Sequence, residues 1–161
     1  MVEMQVPQKR ISVRALPVWR ITGLIIALFV WVLIIGGSIF VYMKELSFWL
    51  IVVGIFVGLL ITLLFTYLIP FIRWKRWRYE VRDQEIELQH GVFFMKKTLV
   101  PMIRVQHVDT VQGPILRKYD LATITIATAA TVHQIPAVDL NEAEEMRRAI
   151  SQLARVAEED V

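Results

Sequence analysis

Two uninterrupted apolar runs dominate the pattern of the first half of the chain. Ile21 to Met43 holds 23 residues and Leu46 to Ile72 another 27, none of them charged. A helix rises about 1.5 Å per residue, so each run exceeds the roughly 20 residues needed to cross a hydrocarbon core of about 30 Å. Both are predicted to be membrane-spanning helices, and the Lys44-Glu45 break between them makes a tight antiparallel hairpin. From Trp77 the period shortens to two. Trp77, Tyr79 and Val81 alternate with Arg78, Glu80 and Arg82, and Ile86, Leu88 and His90 alternate with Glu85, Glu87 and Gln89. These are half-buried strands separated by the "RDQE" turn. Further strands are predicted over Val92–Pro101, Arg104–Gln112, Ala122–Thr128 and Thr131–Val138, with a helical turn over Ile115–Asp120 after the Gly113-Pro114 break.

The period changes once more at the C-terminus. Ala143, Met146, Ile150, Leu153 and Ala157 recur at three- and four-residue spacing, the stripe of an amphipathic helix. Asn141 is placed to cap it, with Glu144 at the third position. Such a stripe needs a partner, and the open end of a small bent sheet supplies one. The fold predicted is thus a membrane α-helical hairpin followed by a mainly-β barrel or sandwich capped by a C-terminal α-helix. Its parts are an N-terminal segment over 1–20, the hairpin over 21–72 and the β-domain over 73–161.

Composition sharpens the membrane assignment. The chain of 161 residues is 56% hydrophobic, against roughly 45–50% for soluble domains. The first run is longer than the 7–15 residues or so of a secretory signal, shows no small-x-small cleavage site, and is followed at once by a second span. Lys9, Arg10, Arg14 and Arg20 precede the first span, and Arg73, Lys75, Arg76 and Arg78 follow the second, while the connecting loop offers Lys44 alone. The positive-inside rule then puts both ends in the cytoplasm. The absence of cysteine fits a reducing compartment. Trp19, Tyr42, Trp49, Tyr67, Trp74 and Trp77 lie near span ends, as interfacial anchors do.

Neither span contains Asp, Glu, Lys, Arg or His. Transport pathways and proton relays place such groups inside the membrane, so a pump or transporter is not expected. Gly54 and Gly58 form a G-x-x-x-G, and Gly36-Gly37-Ser38 adds small residues to the first span. Small residues allow close backbone approach, either within the hairpin or in a dimer.

Charge divides the remainder. Arg73 to Thr128 has ten Lys/Arg against six Asp/Glu; Ala129 to Val161 has three against seven. The "RWKRWR" run sits where anionic headgroups would meet it. Arg73, Lys75, Arg76 and Arg78, with Lys96 and Lys97, are the candidate lipid-headgroup ligands. A topology-fixing flank is the competing account of the run. The pI near 9.4 comes largely from residues flanking the spans, which speaks against nucleic acid as a partner.

Candidate chemistry centres on "VQHVDTVQGP". His107 and Asp109 share one face of a strand, but a hydrolase also needs a nucleophile and oxyanion donors. The serines are Ser12, Ser38, Ser47 and Ser151, none near this strand, and no nucleophile elbow, Walker loop or dinucleotide fingerprint occurs. His90, His107 and His133, with Asp109, are the residues from which a metal site would have to be built, but none of the histidines forms a close pair with another in sequence. No enzymatic activity, no cofactor and no metal are expected. His107 is predicted to bond a neighbouring backbone group and Asp109 to bond near the "QGP" turn. Arg117, Lys118 and Tyr119 fall on the short helical connection, as solvated polar residues or as ligands for acidic groups.

The run "LVPMIRVQHVDTVQGPILRKYDLATITIAT", followed by "HQIPAV" and "EAEEMRRAI", resembles the bacterial pleckstrin-homology (PH) domain family of small two-span membrane proteins. Met102 intervenes after Pro101, and Asp120 stands where the family commonly has glycine. The resemblance implies a membrane-tethered PH-like module without established catalysis, and relatives often occur beside a larger membrane protein carrying several such domains. Two functions are consistent with it. In one, the domain is a protein-interaction module for another PH-like membrane protein or for a second copy. In the other, it binds lipid headgroups. Because the hairpin already supplies anchorage, interaction takes precedence. Envelope integrity, including defence against membrane-active peptides, is the process the resemblance suggests.

Overall fold

A computed structural model describes residues 7–159; the outermost parts of the predicted 1–20 and 73–161 segments, residues 1–6 and 160–161, lie outside the described residues. The chain forms two compact units, the apolar helices over 16–72 and a β-domain.

Within the helical unit, α1 runs over Ala15–Met43, and a second helix runs over Trp49–Arg76. The second is α2 (Trp49–Leu63), a π-helical turn (Leu64–Leu68) and α3 (Ile69–Arg76). Pro70 explains the irregular turn: it has no N–H to donate to the Thr66 carbonyl four residues back, and a widened turn accommodates its ring. The widened turn also lies against α1. A methyl group on Gly23 would collide with the Phe65 carbonyl and approach Thr66. Lower down, Gly58 lies against Ile34 and Trp31, and a Cβ on Gly54 would meet Ile34 Cγ2 at 3.7 Å. The Trp31 indole donates to Thr62 Oγ1 at 3.0 Å, and that hydroxyl donates to the Gly58 carbonyl at 2.8 Å. The G-x-x-x-G thus faces the partner helix of the same hairpin, while Gly36 and Gly37 face open space.

The β-domain has two antiparallel sheets. Sheet A orders β1 (Lys9–Arg10), β2 (Arg78–Val81), β3 (Glu85–His90) and β4 (Lys96–Pro101) side by side. A 3₁₀ turn over Met102–Arg104 leads to sheet B, in the order β5 (Val105–Val111), β6 (Leu121–Thr128), β7 (Val132–Asp139). The short α4 (Pro114–Lys118) joins β5 to β6. The final helix α5 (Leu140–Glu159) packs on β5, β6 and the 3₁₀ turn, as its stripe requires. Ala143, Met146 and Ile150 of that stripe, and Ala154 beside it, are buried with Tyr79, Ile86, Met102, Ile124, Ile126 and Ile135.

Several expectations need correction. Residues 7–15 are not a separate N-terminal segment: they belong to the β-domain. Lys9 and Arg10 pair with Tyr79 and Arg78, and Pro7, Ile11 and Ala15 are buried. The Ser12 N–H donates to the Ala137 carbonyl, Ser12 Oγ to Asp139, and Lys9 Nζ to Glu142 Oε1 at 3.2 Å. Tyr79 Oη donates to the same Glu142 oxygen; burial and that carboxylate push the phenol pKa well up. The strand predicted over Val92–Pro101, β4, starts at Lys96, because Gly91 turns the chain at φ +142° and Val92–Met95 form a projecting tip. Helix α5 begins at Leu140, so Asn141 lies inside its first turn, and Glu144 pairs instead with Arg147 at 2.8 Å. Trp77 is buried in the β-domain, stacked on His90. Asp120, where glycine is common, has φ +53°; aspartate is among the residues that tolerate this left-handed conformation, and its carbonyl receives the Leu140 N–H.

Two outcomes follow from this packing. Gly23→Val should lower the thermal stability of the hairpin in detergent, while Gly36→Val, with nothing within 4 Å, should leave it unchanged; circular-dichroism melts compare them. Ile150→Ala should destabilise the β-domain by about 2–4 kcal/mol. Val156→Ala, on the exposed face of the same helix, should cost under about 0.5 kcal/mol in the same denaturation assay.

Candidate anion-binding cleft

Sheet A presents its two faces through alternate cross-strand rows. Tyr79, Leu88 and Thr98 form an inward row, and Val81, Ile86 and Val100 another. The outward rows are charged. Glu80 and Glu87 share Arg82 with Glu85: its guanidinium reaches Glu80 at 3.0 Å, Glu85 at 3.1 Å and Glu87 at 3.3 Å, one cation among three carboxylates. The next outward row, Arg10, Arg78, Gln89 and Lys97, carries three cations and no acid.

Beyond the inward Tyr79–Leu88–Thr98 row the strands carry His90 opposite Lys96. These two open onto a cleft of about 390 Å³ along β4 and β7, which Arg73, Trp77, His133 and Gln134 also line. Four basic side chains from α3, β3, β4 and β7 therefore converge, and no carboxylate lines the cleft among the described residues. The Trp77 ring stacks on His90 with centroids 5.4 Å apart and planes 15° from parallel, fixing the imidazole at the wall. His133 Nε2 is 2.9 Å from Thr131 Oγ1, which orients the second imidazole. Burial, then the charges of Lys96, Arg73 and His133, hold His90 below its ordinary value of 6.5. Burial and the local excess of positive charge both disfavour the protonated ring. An anion in the cleft would reverse that repulsion.

The candidate headgroup ligands separate accordingly. Arg73 and Lys96 line the cleft, whereas Arg78 and Lys97 belong to the outward row. Lys75 is in the last turn of α3, and Arg76 donates to the Val92 carbonyl. His90 and His133 meet; His107 does not join them. Its Nε2 lies 3.5 Å from Asp109 on the exposed face of β5, so each is the other's partner. That replaces the backbone contact expected for His107 and the turn contact expected for Asp109. The turn is held instead by the Gln112 amide, which donates to the Leu121 carbonyl at 2.9 Å. Among the described residues no group of three or more His, Asp or Glu is arranged to hold a metal. Arg117 and Lys118 line a separate shallow depression beside Pro114. The cleft is hidden in the sequence because its four basic side chains come from four elements; the one local signal is a histidine six residues before a lysine across a glycine turn.

Next to the cleft, sharing His133, is a groove of about 480 Å³ bordered by Leu99, Pro101, Ile103, Arg104 and Thr128–Thr131. Leu99, Ile103 and the nearby Val132 are exposed. The β4 and β7 strands are the outer strands of their sheets, and each pairs on one side only.

Comparison with known proteins agrees with this architecture. The chain is 45% identical over 155 residues to the UPF0699 transmembrane protein YdbS of Bacillus subtilis (strain 168), covering 96% of this chain and 98% of that one. It is 28% identical over 83 residues to the UPF0699 transmembrane protein YdbT of the same organism, covering 49% of this chain and 17% of that one. No solved structure matches. The bacterial PH domain family matches residues 10–154, a range that begins in β1, contains both apolar helices and ends in α5. This chain is a membrane protein with two candidate transmembrane helices, and it belongs to the bacterial PH domain family.

Proposed function

We propose that this protein is a non-enzymatic, membrane-anchored PH-domain protein whose cleft holds the phosphate of an anionic lipid headgroup at the cytoplasmic face. The observation that carries this reading is the convergence of His90, Lys96 and His133 with Arg73 on one cleft lined by no carboxylate among the described residues. A phosphate offers several acceptor oxygens to such a ring of donors, and charge-assisted bonds of this kind are the strong ones. The basic flanks of both apolar helices support a cytoplasmic position for the domain. Maintenance of the cell envelope, including resistance to membrane-active peptides, is the process in which such a lipid-reading domain would serve.

The protonation of His90 gives the reading a pH signature. Because its pKa is lowered in the free protein and an anion raises it, binding takes up protons. Affinity then rises as pH falls through the range below about 6.5. Glycerophosphoglycerol, a phosphodiester whose single charge is constant here, is the probe. The full chain in neutral phosphatidylcholine nanodiscs has three histidines, so their ring signals in NMR report separately. The probe should shift His90 and His133, leave His107 still, and bind severalfold tighter at pH 5.5 than at 7.5. Lys96→Gln should weaken binding about tenfold, the loss of one charge-assisted contact. Equal movement of all three signals, or none, overturns the reading.

A second reading, protein interaction, is favoured by a different observation: exposed Leu99 and Ile103 border the groove between the outer strands β4 and β7, with exposed Val132 nearby. Unpaired edges beside exposed apolar side chains suit strand addition or side-chain docking by a partner. The partner proposed is another bacterial PH-domain membrane protein or a second copy of this chain. A photo-crosslinking residue at Ile103 in intact membranes should capture one of these, identified by mass spectrometry. Recovery of uncrosslinked monomer alone removes this reading and leaves the headgroup reading in place.

A further inference from the structure

The tip of the β3–β4 hairpin has a composition that its position in a soluble β-domain does not explain. Phe93 is 83% and Phe94 90% exposed, side by side, and Met95 beside them is 44% exposed. Two adjacent phenylalanines held almost wholly out of the protein are unfavourable in water by the apolar area they leave wet. Nor is the tip an arbitrary loop. Gly91 adopts φ +142°, and a methyl group there would collide with the Phe94 carbonyl, so the turn is tightly wound. The Arg76 guanidinium donates to the Val92 carbonyl and ties the tip to the last residue of α3.

Charge around the tip is of one sign. From Leu88 to Val108 the chain carries no Asp or Glu. Lys97 follows the tip on the outward row with Arg78 and Arg10. Chain connectivity fixes where this end of the sheet must be. Arg10 leads into α1 and Arg78 follows α3, so the strand ends that join the two apolar helices lie at the same end of sheet A as the hairpin tip. Arg76 is four residues past Ile72, the last residue of the second apolar run, a rise of about 6 Å along a helix. An aromatic pair flanked by cations, tethered at that depth, matches the headgroup–acyl boundary of an anionic bilayer, where aromatic rings are favoured and basic side chains meet lipid phosphates.

We propose that the Val92–Met95 tip is a membrane-inserting element: Phe93 and Phe94 enter the interface of the bilayer that the chain's own helices cross, with Arg76 and Lys97 on its anionic headgroups. The tip would be a third attachment point that sets the orientation of the domain. It is separate from the cleft, since Lys97 and the phenylalanines do not line it.

The chain has no cysteine, so single spin labels can be placed without removing native residues. Phe94→Cys and Leu99→Cys, labelled in the full chain reconstituted into phosphatidylglycerol–phosphatidylcholine vesicles, are compared by power-saturation electron paramagnetic resonance. The label at 94 should be relaxed several times more strongly by oxygen, which partitions into lipid, than by a water-soluble nickel chelate. The label at 99 should show the reverse. Phe93→Asp added to the 94 label should shift it toward nickel, and Phe93→Cys should repeat the result of Phe94→Cys. Lys96→Gln should leave the depth at 94 unchanged, which separates this proposal from headgroup binding in the cleft. Nickel accessibility at 93 and 94 equal to that at 99 overturns it. So does a label shielded from both reagents, the sign of a protein partner or second copy on the tip.

Discussion

The pairing of Lys9 and Arg10 with Tyr79 and Arg78 is the interaction on which the architecture turns. It is only two residues long, yet it joins chain on either side of both apolar helices. The sheet is therefore interrupted, not preceded, by the membrane segment. Backbone hydrogen bonds cannot form across a bilayer, so residues 9–10 and 78–79 must share one side, and an even number of crossings follows from the ladder alone. Two charge-free runs of sufficient length supply that number. Hydropathy and strand pairing, which are independent kinds of information, thus agree with each other.

Electrostatics is organised around the same end of the sheet. Rows far from the helix connections carry an acidic excess around one guanidinium, with Arg82 serving three glutamates. Rows near the connections carry basic side chains instead: Arg10, Arg78 and Lys97 on one face, Lys96 opposite His90 on the other. Exposed pairs contribute little to stability, under about 1 kcal/mol each, so this separation of charge along the sheet adds little to the stability of the domain.

Much of this was legible in the residue pattern. The two long helices, the period-two strands β2, β3 and β6 and the striped α5 are continuous signals of several residues, and each occurs close to its predicted place. What escaped was either too short or too dispersed. A strand of Lys9–Arg10 has no period to read. Val92–Met95 is apolar and reads as strand, because hydrophobicity alone cannot tell a side chain facing a core from one facing out; Gly91 was the clue. Trp77 reads as an interfacial anchor from its position near a span end, whereas its stacking partner, His90, is thirteen positions on and across a turn. The cleft needed β7 to lie near β4, which no local pattern specifies.

The way residues 7–15 are stitched into the domain also settles how it could be made without a membrane. A truncation beginning at Arg73 would strip β1 from the sheet edge, remove Ile11 and Ala15 from the core and leave Glu142 without its lysine. Keeping the segment but leaving the apolar stretch unfolded would impose a closure entropy on the order of 4 kcal/mol for a loop of some 67 residues. Excising 16–72 and splicing residue 15 to residue 73 through a few glycines and serines retains every strand contact and shortens that loop. For this family member the β-domain is therefore discontinuous in sequence, and the two apolar helices are an insert within it.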